Sequence, residues 1–227
     1  MKKALILIYL ISLTLPLFSQ KEGSFAVNIS KPYALDSVRI QSIKFVYKND
    51  KIALVPVDQN FERPLERIIF DNANNTMAIL MIEDGKKMAL LVNIPAIDNK
   101  WMEENNREGN PDVRIKSTSE IREINGKTAV KVEVQAKKMT TEIWVTNELD
   151  FDFIEIIKLL ATDLTGRGNE SKNLNVSTYG VGGFPLQLTV MDQEKKVQLE
   201  MTVTDISDKA DASVFEMKGY KVEDMRK

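Results

Sequence analysis

The chain of 227 residues contains no cysteine and no histidine, and these absences exclude several kinds of chemistry. The commonest metal ligands and the usual nucleophile–base pairs are missing. Phosphate-binding loop and serine-elbow motifs are missing as well. Without cysteine the chain forms no disulfide and is not a lipid-modified lipoprotein, although we expect it to enter an oxidising compartment. We therefore expect no metal, no cofactor and no enzymatic activity.

The chain also has no large excess of charge of one sign. The net charge is −2, with 28% charged and 43% hydrophobic residues, and the isoelectric point is near 5.5. This balance supports a sizeable core but lacks the basic footprint of a nucleic-acid-binding protein. We therefore expect no nucleic acid among the partners.

The first residues have the layout of a secretory signal peptide. Lys2 and Lys3 precede an apolar run over residues 4–17, and a polar segment follows. The run is shorter than the roughly 20 apolar residues of a membrane-spanning helix. We expect residues 1–20 to be removed and residues 21–227 to form a single β-rich domain. That domain is expected in the periplasm or outside the cell, with no transmembrane segment after cleavage.

Alternating apolar and polar residues predict a mainly β fold. The clearest pattern covers residues 113–149, where three consecutive strands are joined first by the turn dipeptide Asn125-Gly126. We expect these strands at the centre of a curved antiparallel sheet. Two other predicted strands, residues 76–82 and 87–92, are apolar on both faces, so we expect both of their faces to be covered.

One main helix is predicted over residues 151–164. Asp150 is a suitable N-cap and Gly166 a suitable C-terminal stop. The polar stripe of this segment is narrow, which indicates a mostly buried helix that covers the sheet. Two long loops, residues 93–112 and 166–183, separate the strands, and a last short strand is predicted within residues 214–222.

Several short motifs resemble one known family. They are Ile124-Asn125-Gly126-Lys127, the segment TEIWVTNEL over residues 141–149, GFPLQL over residues 183–188, and Gly219-Tyr220-Lys221. In this order they resemble an uncharacterised domain-of-unknown-function family of exported bacterial proteins. That family is in turn similar to the LolA/LolB-like lipoprotein carriers. The resemblance covers about residues 67–225, and it implies an unclosed β-barrel with the main helix on its concave face.

The resemblance supplies no catalytic residue. The family often carries tyrosine and cysteine after the glycine of the hairpin turn, where this chain has Thr128 and Ala129. Any role of that cysteine is therefore in doubt here.

The functional expectation is a non-enzymatic envelope protein that holds a lipid or acyl chain in a half-barrel groove. Methionine suits such a lining, although it also fills cores and binds Cu(I), and the tryptophan belongs either to the core or to the rim of a cavity. The alternative is a protein–protein interaction module with a filled core that presents loops 93–112 and 166–183 to an envelope partner. The expected groove-lining residues are Met77, Met81, Met88, Trp144, Phe153, Ile157 and Leu160.

Overall fold

The computed structural model describes twelve strands but not the predicted leader or the predicted main helix. The described residues are 22–30, 40–57, 65–94, 113–136, 139–149, 151 and 181–226. The predicted signal peptide, the predicted helix beyond Phe151, and most of the two long loops lie outside them. So do the expected lining residues Phe153, Ile157 and Leu160.

The described residues form twelve strands and one short 3-10 helix, at Ala212–Phe215. The strands are β1 (Glu22–Ser30), β2 (Ile40–Lys48), β3 (Lys51–Pro56), β4 (Leu65–Asp71), β5 (Thr76–Glu83), β6 (Lys86–Asn93), β7 (Val113–Ile124), β8 (Lys127–Ala136), β9 (Met139–Thr146), β10 (Phe184–Met191), β11 (Val197–Ser207) and β12 (Lys221–Asp224). The prediction of a mainly β fold is confirmed.

All twelve strands belong to one sheet, in the order β12-β6-β5-β4-β3-β2-β1-β11-β10-β9-β8-β7. Neighbouring strands are antiparallel except β12, which pairs with β6 in parallel. The expectation that residues 113–149 form the centre of the sheet is wrong, because β7, β8 and β9 lie at one end. The cause is a long-range pairing: β1 pairs with β11, with Val27 opposite Val203, so the first six strands extend the sheet on the far side of β11.

One face of the sheet, here called the core face, carries most of the hydrophobic core. Alternate residues of β1 to β5 and of β8 to β11 point to this face, as the strand period of two requires. Its largest fully buried side chains include Phe45, Phe70, Ile143, Phe184 and Leu188. Half-buried Phe151 packs at one end, with its ring centroid 4.8 Å from that of Tyr47.

The opposite face of the described sheet is covered over β2–β6. The cover is the segment 208–226, here called the C-terminal strap. Its apolar side chains pack on small residues such as Ala53, Ala78 and Ala89. The prediction that residues 76–82 are covered on both faces is confirmed, since Met77 is buried on the core face and Leu80 beneath the strap.

The predicted last strand over residues 214–222 is wrong in part. Asp211 accepts a hydrogen bond from the Ser213 backbone N–H and starts the 3-10 helix. Gly219, at a φ of 86°, then turns the chain, and a strand forms only from Lys221. These two local signals favour a turn and a short helix over continuous alternation.

Candidate functional site

An open groove lies on the core face where the sheet ends. Its volume is about 530 Å³, and its lining comes from β7, β8, β9, the residues that follow β9, and the residues that precede β10. Five lining side chains are apolar: Ile115, Val130, Val132, Val145 and Val181. The other five lining residues are Ser117, Thr128, Asn147, Glu148 and Gly182.

The groove exists because the core face continues past the packed core. Deep in the sheet Ile143 is completely buried, whereas Val130 and Val145 are only half-buried. On β7, Ile115 is 46% exposed and Ile121 is 66% exposed. A bulge between Ser117 and Ile121 interrupts the pairing of β7 with β8. Apolar surface is therefore presented to solvent at this end of the sheet.

One charged side chain, Glu148, lines the groove. Its carboxylate accepts a hydrogen bond of 2.9 Å from the Thr128 backbone N–H, and the Lys127 ammonium lies 3.8 Å away. The hydrogen bonds from Thr128, and secondarily the charge of Lys127, lower the pKa of Glu148 below its ordinary value. The rim of the groove therefore carries an ionised carboxylate at neutral pH.

Gly183 brings the chain before β10 close to the end of β9. Its φ is 92°, and a Cβ added there would lie 2.8 Å from the Asn147 side-chain oxygen and 3.0 Å from the Thr146 carbonyl oxygen. A residue with a side chain does not fit this position without displacing its neighbours. The close approach places Val181 and Gly182 against Asn147 in the groove wall.

The tip of the β7–β8 hairpin is held by distant strands. Asn125 and Gly126 adopt positive φ angles of 52° and 72°, as the predicted tight turn requires. The Asn125 side chain donates a 2.6 Å hydrogen bond to the Val203 carbonyl on β11, and Arg122 donates one to Gln187 on β10. Since β9 and β10 separate β8 from β11, the hairpin reaches across them. These contacts fix the strands that form the groove floor.

The structure separates the sequence-predicted lining residues. Met77 is 2% exposed, and Met81 and Met88 are half-buried partners on the core face of β5 and β6, in the other half of the sheet. Trp144 points opposite to its two neighbours on β9, and the Arg122 guanidinium lies 3.8 Å from its ring centroid. None of these four is among the ten residues that line the groove.

Sequence analysis did not single out the residues that line the groove. The alternation of Val130 and Val132 predicted their shared face, but it did not show which part of that face stays open. For Glu148 the signal was weak, because its role depends on the Thr128 backbone N–H of a neighbouring strand.

Within the described residues, no group of three or more acidic side chains is placed to hold a metal ion. The oxygen-rich segment 71–75 forms the turn between β4 and β5. There the Asp71 carboxylate accepts hydrogen bonds of 3.2 and 3.0 Å from Asn74 and pairs with Lys51 at 3.4 Å. The described part of the chain also has no helix long and apolar enough to cross a membrane.

Comparison with known proteins places the chain in a family and gives only distant structural likenesses. The family described as a domain of unknown function (DUF4412) matches residues 22–220. No curated protein matches the chain significantly.

Among solved structures, PNGF-II is similar at 15% identity and a TM-score of 0.41, over 91% of this chain and 32% of that one. The MucA/MucB complex of Pseudomonas aeruginosa is similar at 8% identity and a TM-score of 0.47, over 90% of this chain and 59% of that one. A LolA superfamily protein, NE2245 from Nitrosomonas europaea, is similar at 10% identity and a TM-score of 0.28, over 84% and 87% of the two chains. This chain therefore spans about a third of the length of PNGF-II. Because every one of these TM-scores is below 0.5, the function of the chain has to be inferred from its own residues.

Proposed function

The chain belongs to the DUF4412 family, whose domain has no known function, and from this premise we propose that it binds an apolar ligand in the groove of β7, β8 and β9. The observation that carries the proposal is the open apolar floor of that groove, with Ile115 46% exposed among five apolar lining residues. Exposed apolar surface in a concave site is typical of ligand binding. The expected ligand is a lipid or another single acyl or alkyl chain, and no catalysis is involved.

The groove has the size of a small-ligand site. Its volume of about 530 Å³ lies within the range of about 300–1,000 Å³ that is usual for such sites. Each methylene group removed from water contributes about 0.8 kcal/mol, which corresponds to about a fourfold gain in affinity. Affinity should therefore rise with chain length until the groove is filled.

The main helix would complete this site. We propose that residues 151–164 form a helix that packs on the core face, and that Phe153, Ile157 and Leu160 face the ligand. The support is Phe151, which enters the core face with its ring centroid 5.6 Å from that of Phe25 and 6.4 Å from that of Phe184. A chain that continues from this anchor as an amphipathic helix would lie over the sheet.

We also propose that the protein is exported and is periplasmic or extracellular. The support is the sequence of residues 1–20, in which a basic start, an apolar run and a polar end follow one another. Residues 21–227 would then act as one domain. An export assay with the leader fused to a reporter enzyme tests this part, and a reporter that stays in the cytoplasm would contradict it.

The binding proposal is tested by calorimetric titration with alcohols of increasing chain length. The wild type is compared with Ser117→Trp, which fills the groove from an exposed position, and with Ser119→Trp on the same strand, which is outside the lining. We expect affinity to rise about fourfold per methylene in the wild type and in Ser119→Trp, and to fall at least tenfold in Ser117→Trp. Equal binding by all three folded proteins would contradict the proposal.

An interaction module is the second candidate function. It is favoured by Ile121, which is 66% exposed on β7, the end strand of the described sheet. Exposed strand edges with apolar side chains can accept a strand from a partner. A photoreactive residue at position 121 should then crosslink to one defined envelope protein in the host. A crosslinking pattern indistinguishable from that of a residue placed at Gln135 would exclude this function.

A further inference from the structure

The ionisable side chains around the groove have an asymmetric charge. Among the ten lining residues Glu148 is the only ionisable one, so the lining holds one negative and no positive charge. The neighbouring Glu123 adds a second carboxylate, because it pairs with Thr128 across the β7–β8 ladder. The polar end of a bound ligand would therefore meet a negative rim.

The cations near this rim neutralise it only in part. Lys127 is outside the lining and approaches Glu148 at 3.8 Å, with the two side chains 30% and 44% exposed. A pair this exposed and this long contributes little binding energy. Arg122 is stacked on Trp144, and Lys116 lies between two groove-facing residues of β7, so its side chain points to the opposite face.

The Glu148 carboxylate also keeps capacity for a further donor. A carboxylate offers about four acceptor positions. The Thr128 backbone N–H, the Thr128 side chain and Lys127 use three of them in the described part of the chain. Because the Thr128 hydrogen bonds hold the pKa of Glu148 below its ordinary value, the remaining position stays available as an anionic acceptor at neutral pH.

We infer that the groove selects apolar chains that end in an ammonium group and discriminates against chains that end in a carboxylate. The apolar part would lie on Val130, Val132 and Val145, and the ammonium group would donate to Glu148 at the rim. This inference rests on the proposed function, since it assumes that an apolar chain occupies the groove.

The test uses three ligands with the same decyl chain and different ends: decylammonium, decanol and undecanoate, all below the concentrations at which they form micelles. Fluorescence or calorimetric titration of the full-length protein at about 20 mM salt should give at least about threefold tighter binding of decylammonium than of decanol. Undecanoate should bind at least about threefold more weakly than decanol. The differences among the three affinities should become smaller at about 500 mM salt, because exposed charges are then screened.

The variant Glu148→Gln should bring the three affinities together. The matched control is Glu194→Gln, an exposed glutamate in the turn between β10 and β11, which should keep the wild-type order of affinities. Circular dichroism checks that both variants are folded.

Three negative outcomes are distinguishable. If none of the three ligands binds, the proposed function fails and this inference fails with it. If all three bind with equal affinity, or if undecanoate binds best, the groove still binds apolar chains but the ammonium selectivity is refuted. An unchanged order of affinities in Glu148→Gln would refute the role of that residue.

Discussion

Tyr220 provides the sharpest prediction about stability, because it fastens the C-terminal strap to the sheet. Its hydroxyl donates a hydrogen bond to the Glu66 carboxylate on β4. Two cations lie over its ring, with Arg67 at 5.4 Å and Lys87 at 5.2 Å from the ring centroid. The substitution Tyr220→Phe removes only the hydroxyl, whereas Tyr220→Ala removes the ring as well.

The size of each effect follows from these contacts. A hydrogen bond to a charged group contributes about 1.5–3 kcal/mol, and partial exposure of Glu66 favours the lower end of that range. We therefore expect Tyr220→Phe to lower the free energy of unfolding by about 1.5 kcal/mol. Loss of two exposed cation–π contacts, at about 0.5–1 kcal/mol each, brings Tyr220→Ala to about 3 kcal/mol.

The Tyr220 contribution should depend on pH. Burial first, and then the hydrogen bond to Glu66, raise the pKa of Tyr220 above its ordinary value. A group whose pKa is higher in the folded state stabilises the protein fully below its unfolded pKa, which is about 10 for tyrosine. That stabilisation is lost as the pH rises through the folded pKa, because the hydroxyl no longer donates.

The assay is urea denaturation of the wild type and Tyr220→Phe at about pH 8 and about pH 11. The difference between their free energies of unfolding should be about 1.5 kcal/mol at the lower pH and should shrink at the higher one. A double-mutant cycle with Glu66→Gln isolates the hydrogen bond from other effects. A negligible difference at pH 8, or a difference that does not change with pH, would refute this account of the strap.

Three further predictions concern other parts of the fold and are checked by the same denaturation measurement. Gly23→Ala should cost about 1–3 kcal/mol, because the added Cβ would lie 2.7 Å from the Ser207 carbonyl oxygen; an unchanged midpoint would contradict this packing. Asn125→Gly should cost about 1 kcal/mol through the lost hydrogen bond to β11, and Asn125→Ala should cost about 1–2 kcal/mol more because its φ is positive. Lys131→Met should lower the free energy of unfolding by about 1–3 kcal/mol, because three glutamates lie within 3.5 Å of the Lys131 ammonium group and would repel one another without it. The control Lys131→Arg keeps the positive charge and should retain most of the stability.

The sequence predicted the strands well because each depends on local information. The alternation of residues 127–135 and the Asn125-Gly126 turn give the β7–β8 hairpin with its register, in which Ile124 pairs with Lys127. The two-sided apolar pattern of residues 76–82 correctly indicated cover on both faces. The alternation of apolar and polar residues and the residue types of tight turns suffice to predict hairpins of this kind, since their strands are joined by short turns.

Long-range pairing could not be predicted in the same way. Nothing in the local pattern of β1 indicates that Val27 pairs with Val203, and this pairing moves β7–β9 from the centre of the sheet to its end. The segment that covers the opposite face was not identified, for a related reason. Val214 and Phe215 have a strand-like composition, but the cap at Asp211 and the turn at Gly219 make them part of a strap.

The position of the groove could not be predicted from the sequence. Methionines on β5 and β6 suggested an adaptable lining, yet Met77 is fully packed and the open apolar surface lies around Val130 and Val145. Which part of a core face stays open depends on where the sheet ends, and the sheet order decides that. The resemblance to a domain-of-unknown-function family was confirmed over residues 22–220.

The central claim, that an apolar chain binds on the floor of β7–β9, is tested most directly by methyl NMR. Protein labelled at the methyl groups of isoleucine, valine and methionine is titrated with decylammonium. We predict that Ile115, Val130 and Val145 shift in proportion to occupancy and show contacts with the alkyl chain, while Met81 and Met88 respond weakly. Shifts confined to the two methionines, or no saturable shift at any methyl group, would contradict the claim.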